Sequence, residues 1–237
     1  DDYREQLLGK VRALGGQGPD GKAEPPHRPA DDRQITMAKA GKKQPELIAI
    51  GASTGGIHAL NLLLRGLPHE FDLPILITQH LPASFIPVFA RQVELACARK
   101  THIADDGTQI RRGEIAIATG HGHMALRRFG EQLVARVSNA PAPSGCVPSV
   151  DPMLKSVSQS CDGHALAVIL SGMGKDGLEG ARSLVENGGT VIAQDAETSA
   201  VWGMPGAVAK AGLASTIASP EKLVDAILKH AGAPAWK

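Results

Sequence analysis

Aromatic side chains are scarce in this 237-residue chain, which has four Phe, two Trp and one Tyr. With 27 Gly and abundant Ala, Val, Ile and Leu beside them, a β-sandwich is disfavoured and a parallel α/β sheet with tight strand-to-helix turns is favoured. No apolar run approaches the roughly 20 residues that a membrane helix needs, so no membrane insertion is expected. A basic, apolar leader of the secretory kind is missing as well. The three cysteines, Cys97, Cys146 and Cys161, are odd in number and lack metal-ligand spacing. A reduced, cytoplasmic protein without bound metal is the simplest reading. Charge of one sign is also lacking: 25 Lys+Arg stand against 24 Asp+Glu, for a net +1. That excludes a nucleic-acid binder dependent on a strong basic field. What is plentiful is apolar sequence. At 43% hydrophobic the chain is not broadly disordered, and its length suffices for a large core without a disulfide or metal staple. It opens on Asp1-Asp2 rather than Met, which reads as the start of a fragment.

Residues 1–14 carry Tyr3, Leu7, Val11 and Leu14 at helical spacing, and Gly15-Gly16 ends that helix. From 15 to 45 the periodicity vanishes among Pro19, Pro25, Pro26, Pro29 and Pro45, as in a solvated linker. The folded domain is expected over 46–232. Buried strands are predicted at Leu47–Ile50, Ile75–Thr78, Ala165–Leu170 and Thr190–Ala193, and a shorter one at Ile115–Ile117. Helices are predicted after the first strand, with Ile57, Leu60, Leu63 and Leu64 on one stripe, and over Ser84–Lys100, with Phe85, Val88, Phe89, Val93 and Leu95 available for the core. Two more follow, one from an Asp151 N-cap to about Cys161 and one over Gly177–Asn187. The last begins at a Ser219 cap. Met124–Leu126 and Leu133–Val137 read as a hairpin. The sum is a doubly wound, mostly parallel α/β sheet with helices on both faces and a small β-hairpin insertion.

In such a sheet, ligands sit beyond the carboxyl ends of the strands. The first strand delivers Gly51-Ala52-Ser53-Thr54-Gly55-Gly56 there, the second Gln79-His80-Leu81-Pro82, and the Ala165 strand Ser171-Gly172-Met173-Gly174-Lys175-Asp176-Gly177. A serine, a histidine and an aspartate thus reach one sheet edge, the inventory of a nucleophile, its base and the base's orienting group. Gly51 to Gly55 matches the G-x-S-x-G elbow, though a tight turn with a capping serine accounts for the same residues. A dinucleotide-binding reading lacks the G-x-G-x-x-G spacing, and a Walker loop lacks its Gly-Lys-Ser/Thr. Taken singly, His80 suits a surface histidine and Asp176 a helix cap; their coincidence carries the argument. The order Ser, His, Asp differs from that of the α/β-hydrolases. His121 and His123 read as a Gly-rich surface turn rather than a metal site. Cys146, without a close charged neighbour in sequence, reads as inert.

Ile50 to Gly56, Thr78 to Pro82, Pro148-Ser149-Val150-Asp151 and Gly172 to Gly177, with Gln194 and Gly203-Met204-Pro205, together resemble the catalytic domain of the chemotaxis protein-glutamate methylesterases, the CheB family. The resemblance runs from about Glu46 to the last helix. It implies Ser53 as nucleophile, His80 as general base and Asp176 as its partner. Amides at Thr54 and Met173 are candidate oxyanion donors, and no cofactor is required. The implied reaction is hydrolysis of glutamate methyl esters on the cytoplasmic helices of chemoreceptors, with deamidation of receptor glutamines beside it. The implied partners are those receptors, a phosphoacceptor receiver domain and its histidine kinase. Residues 1–14 resemble that receiver's closing helix and 15–45 the interdomain linker. Gly145-Cys146 stands where family members commonly carry an Arg-His pair, which bears on receptor contacts and substrate choice. A small-molecule esterase and a non-catalytic receptor-docking module are the alternatives.

Overall fold

The computed structural model describes residues 35–232. The chain runs β1 (Leu47–Ala52), α1 (Gly56–Gly66), β2 (Ile75–Gln79), a 3-10 turn (Ala83–Phe85) and α2 (Ile86–Cys97). Then come β3 (Thr101–Ala104), β4 (Gln109–Ile110), β5 (Ile115–Ala118), β6 (His123–Phe129) and β7 (Gln132–Ser138). The second half reads α3 (Val150–Ser160), β8 (Ala165–Ile169), α4 (Leu178–Glu186), β9 (Thr190–Gln194), α5 (Met204–Lys210), β10 (Thr216–Ala218) and α6 (Pro220–Ala231).

Seven strands pair in parallel in the order β10-β9-β8-β1-β2-β5-β3. The chain builds outward from β1 through β2, then returns to lay β8 against the other side of β1. That reversal opens a crevice at the carboxyl ends of β1 and β8, where ligands bind in open α/β sheets. Every residue of β1, β2 and β8 is buried, so these strands are continuous apolar runs rather than alternating ones. The pleat sends Leu47 and Ala49 to a core with Val150, Met153 and Leu154 of α3. It sends Ile48, Ile50 and Ala52 to the other face, against Leu60, Leu63 and Leu64 of α1. Helices α1, α2 and α6 cover that second face, and α3, α4 and α5 the first.

Several expectations are corrected, but the expected hairpin is present as β6 and β7, and β4 joins it in a three-stranded antiparallel sheet, β4-β7-β6. It is tied to α3, where the Ser156 hydroxyl accepts the Leu126 amide at 2.9 Å and the Ser160 hydroxyl donates to the Leu126 carbonyl at 2.8 Å. Strands β3, β4 and β10 and helix α5 were not anticipated, because two to seven residues are too few to display a period. Of the five apolar side chains offered to the core by the second helix, Phe89 and Val93 are buried. Val88 and Leu95 lie on its outer side, 61% and 68% exposed, since Ile86, Phe89, Ala90 and Val93 already form the inward stripe. Phe85, 59% exposed, ends the 3-10 turn before it. The N-cap of α3 is Ser149, with Asp151 inside the first turn. Ser219 occupies the N-cap of α6 but makes no side-chain cap bond.

The candidate helix over 1–14 lies outside the described residues. Of the expected linker, the part from 35 to 45 lies against the domain. The Ala38 amide donates to the Ala214 carbonyl at 2.9 Å and the Gly41 amide to Thr190 Oγ1 at 3.0 Å. Lys43 bonds Asp162, and Gln44 Nε2 donates to the Ala231 carbonyl at 2.9 Å.

Candidate active site

Beyond β1 the chain turns sharply at Ser53-Thr54-Gly55 into α1, with Gly55 in the left-handed region at φ 77°. A side chain there is strained on that account alone. The turn is clamped from several sides. The Ser53 amide donates to the Ser171 carbonyl at 3.0 Å, and the Ser53 carbonyl accepts from the Gly56 amide at 2.9 Å and Gln79 Nε2 at 3.0 Å. Ser171 Oγ donates to the Thr54 carbonyl at 2.8 Å. Gly172 lets the end of β8 lie directly beside the serine: a Cβ there would fall 2.7 Å from Ser53 Cβ and 2.4 Å from Met204 Sδ. Ser53 is therefore held at a fixed depth by groups from three strand ends.

The three residues named from sequence converge. Ser53 Oγ lies 3.1 Å from His80 Nδ1, and His80 Nε2 lies 2.7 Å from Asp176 Oδ2. The carboxylate takes the Nε2 proton as a hydrogen bond, leaving the Nδ1 lone pair facing the serine hydroxyl. In the chymotrypsin-type triad it is Nε2 that faces the serine, so the ring nitrogens exchange roles here. His80 is largely buried and Asp176 is 3% exposed. Asp176 Oδ1 also accepts the Ser149 hydroxyl at 2.8 Å and the amides of Asp151 and Gly177 at 3.2 and 3.0 Å. Its Oδ2 accepts the Val150 amide at 2.7 Å. The carboxylate thus caps the N-terminus of α3, where helix amides and dipole favour negative charge. Burial works against its ionisation, but the bonds from His80, Val150 and Ser149 outweigh burial and hold its pKa below the usual carboxylate range. Neighbouring Asp151 goes the other way. Burial raises its pKa and the charge on Asp176 adds to that, against one amide bond from Gly180 at 2.8 Å.

Thr54 and Met173, the oxyanion candidates, are both exposed. Their backbone amides carry no protein hydrogen bond among the described residues. Of the histidine pair, His121 is exposed, whereas His123 is buried and its Nδ1 accepts the Ser149 amide at 2.9 Å. The surface-turn reading of His123 is therefore corrected: it fixes the peptide whose hydroxyl holds Asp176. Neither Ser149 nor His123 was assigned a role from sequence. The signal was confined to Pro148 to Asp151 as a motif, and no spacing says that its hydroxyl turns toward residue 176. Cys146 is likewise not isolated, since its thiol is close to both His80 and Asp176. Burial and the Asp176 charge push its pKa up. A cleft of about 390 Å³ opens beside Asp176, bordered by Pro143, Ser144, Cys146, Met173 and Lys175.

A doubly wound parallel sheet with a serine, a histidine and an aspartate hydrogen-bonded in series at its switch point defines a class: α/β proteins with a Ser–His–Asp triad. The family within that class follows from comparison. Residues 48–227 match the family model described as CheB methylesterase, and the chain belongs to that family. It is 37% identical over 255 residues to the protein-glutamate methylesterase/protein-glutamine glutaminase 1 of Rhodospirillum rubrum, covering 97% of this chain and 65% of that one. It is 43% identical over 188 residues to the Maricaulis maris protein-glutamate methylesterase/protein-glutamine glutaminase, covering 79% and 47%. The crystal structure of the Thermotoga maritima CheB methylesterase catalytic domain superposes with a TM-score of 0.75 at 31% identity, over 81% of this chain and 99% of that one. The chain spans about two thirds or less of the length of these curated relatives.

Proposed function

We propose that this chain is a serine hydrolase that removes methyl esters from glutamate side chains of chemoreceptors and deamidates receptor glutamines. The observation that carries this reading is the unbroken chain of hydrogen bonds Ser53–His80–Asp176, at 3.1 and 2.7 Å, in a member of a methylesterase family. Ser53 Oγ attacks the ester carbonyl while Nδ1 of His80 takes its proton. The same proton then passes to the departing methoxide, and methanol leaves an acyl-serine. Water, deprotonated by His80, attacks that acyl group, and the proton returns to Ser53. The glutamate side chain leaves as the acid, which gives its remaining proton to solvent to become the carboxylate. With a glutamine substrate, ammonia leaves in place of methanol. Asp176 keeps the proton on Nε2 and stabilises the imidazolium that forms. The free amides of Thr54 and Met173 are placed in the roles of oxyanion donors, which the closeness of Gly172 to Ser53 supports.

The substrate lies on the cytoplasmic helices of methyl-accepting receptors, in keeping with a cytoplasmic location. Among the described residues no helix is long and apolar enough to cross a membrane. In the same reading, residues 1–14 close a receiver domain phosphorylated by a histidine kinase, and 15–34 tether it to the catalytic domain, against which 35–45 already lies. The deciding experiment is methanol release from methylated receptor membranes, alongside a simple methyl ester and a fluorophosphonate probe. Receptor-dependent methanol and labelling at Ser53 are expected. Turnover of the simple ester alone would favour a small-molecule esterase, and no labelling would favour a docking module.

A further inference from the structure

Cys146 is the neighbour of the triad to which the hydrolysis assigns no task. Its Sγ, a ring nitrogen of His80 and a carboxylate oxygen of Asp176 all lie within 4.8 Å of one another, and among the described residues no other His/Cys/Asp/Glu trio is so grouped. One sulfur, one imidazole nitrogen and one carboxylate oxygen suit a borderline cation such as Zn²⁺, whereas Mg²⁺ and Ca²⁺ take oxygen almost alone. We propose that His80, Cys146 and Asp176 form a binding site for Zn²⁺ whose occupation switches the enzyme off. The inhibitory consequence rests on the hydrolase reading above; the binding does not.

The geometry is close to what the ion demands. Zinc bonds of about 2.0–2.3 Å place ligand atoms roughly 3.3–3.8 Å apart, so separations that reach 4.8 Å must shorten by about 1 Å. With Nε2 as ligand, the 2.7 Å contact to Asp176 Oδ2 must open to admit the ion. Cys146 stands between β7 and α3, outside regular structure, and is the member freest to make that shift. Cys146 and Asp176 both border the 390 Å³ cleft, so an ion reaches them from solvent. As the S–Zn bond forms, the thiol proton goes to water. Three protein ligands leave one tetrahedral position for water. Ligation at either ring nitrogen stops the base. At Nδ1 the ion takes the lone pair that Ser53 needs. At Nε2 it drives the proton to Nδ1, turning that atom from acceptor into donor. The remaining cysteines are placed differently: Cys161 is buried, and Cys97 Sγ bonds the Val93 carbonyl at 3.1 Å.

Cobalt(II) reports thiolate ligation without any need for turnover. Titrated into the chelator-treated chain, it should produce a near-ultraviolet thiolate-to-cobalt charge-transfer band that zinc abolishes by displacement. The band should vanish in Cys146→Ser and weaken in Asp176→Asn. In parallel, methanol release is measured against zinc, each protein's rate being referred to its own rate in chelator. Half-inhibition should require more than about tenfold more zinc in Cys146→Ser than in the unaltered chain. No band, a band that persists in Cys146→Ser, or equal zinc sensitivity of the two proteins would overturn the proposal. A Cys146-dependent band in a chain that hydrolyses no ester would uphold the site and sink the hydrolase reading, so the two failures are distinguishable.

Discussion

The middle of the parallel sheet and its carboxyl edge lie a few residues apart on the same strands, yet opposite rules build them. In the middle, Ile48, Ile50, Ile75, Ile77, Leu166 and Val168 are fully buried among aliphatic neighbours, and shape and volume decide the fit. At the edge, Gln79, Ser149, Asp151, Ser171, Asp176 and Gln194 are just as buried but polar, and each makes at least one hydrogen bond. A buried polar group left without a partner costs about 1–3 kcal/mol, so this edge tolerates few arrangements. The middle can shift its packing and stay apolar. The edge cannot shift without breaking bonds, and that rigidity is what a catalytic geometry requires.

Substitutions that separate activity from stability sharpen the contrast. The largest effect is expected at Ser53→Ala, which should lower methanol release by about 10⁶-fold while leaving the thermal midpoint close to the original. The residue sits half-buried in a turn outside the apolar core, and its backbone bonds do not involve the hydroxyl. The loss should therefore fall on activity, and near-normal turnover would remove it as nucleophile. Asp176→Asn should follow with a loss of up to about 10⁴-fold, through the imidazole tautomer. It should also change stability with pH. Asp176 has a folded pKa below its ordinary value, so its contribution is complete above the usual carboxylate range and disappears as pH falls through the folded value. Denaturant midpoints measured down the acid limb should therefore fall less steeply in the variant.

In the middle of the sheet the pattern should invert. Ile77→Ala deletes a fully buried side chain and should cost about 2–5 kcal/mol of stability, read from urea unfolding. Its rate per folded molecule should fall far less than that of Asp176→Asn. A large rate loss without destabilisation would erase the distinction between the regions.

Smaller still is the effect expected at Asp151, whose folded pKa is raised. The sign is opposite to that of Asp176: its contribution is present below the ordinary carboxylate value and is lost as pH rises through the folded one. Asp151→Asn keeps an acceptor for the Gly180 amide, so stability relative to the original chain should improve as pH rises toward neutrality. A parallel pair of stability–pH curves would refute this. The smallest effect belongs to the N-terminal region. Removing residues 1–34 should leave both rate and stability nearly unchanged. Cutting through Pro45 instead also removes the bonds made by Ala38, Gly41, Lys43 and Gln44. That longer cut should cost about 1–3 kcal/mol. Activation by the shorter cut would mean that the segment itself inhibits.

Legibility followed the same divide. The strand middles were readable because a run such as Leu47-Ile48-Ala49-Ile50 has one comfortable place, between two layers of helices. Ser53, His80 and Asp176 were readable because each follows a predicted strand, and parallel strands end at one edge. The outward turn of Phe85, Val88 and Leu95 was not readable, since which face of an apolar helix packs depends on the neighbour. Neither were Ser149, His123 and Cys146, which reach the triad from the segment around the antiparallel sheet.

The order of the amino acids alone thus determined the α/β class, the main buried strands and the three residues at the edge, because periodicity and turn chemistry are local properties of the chain. Only the tertiary structure decided that Nδ1 of His80 faces the serine and that Asp176 caps α3. It also decided that a buried histidine steadies Ser149 and that a cysteine stands within reach of the base. Those features are distances between residues 26 to 96 positions apart. No local spacing encodes them, because they arise when strands from both sides of the switch point are brought to one edge.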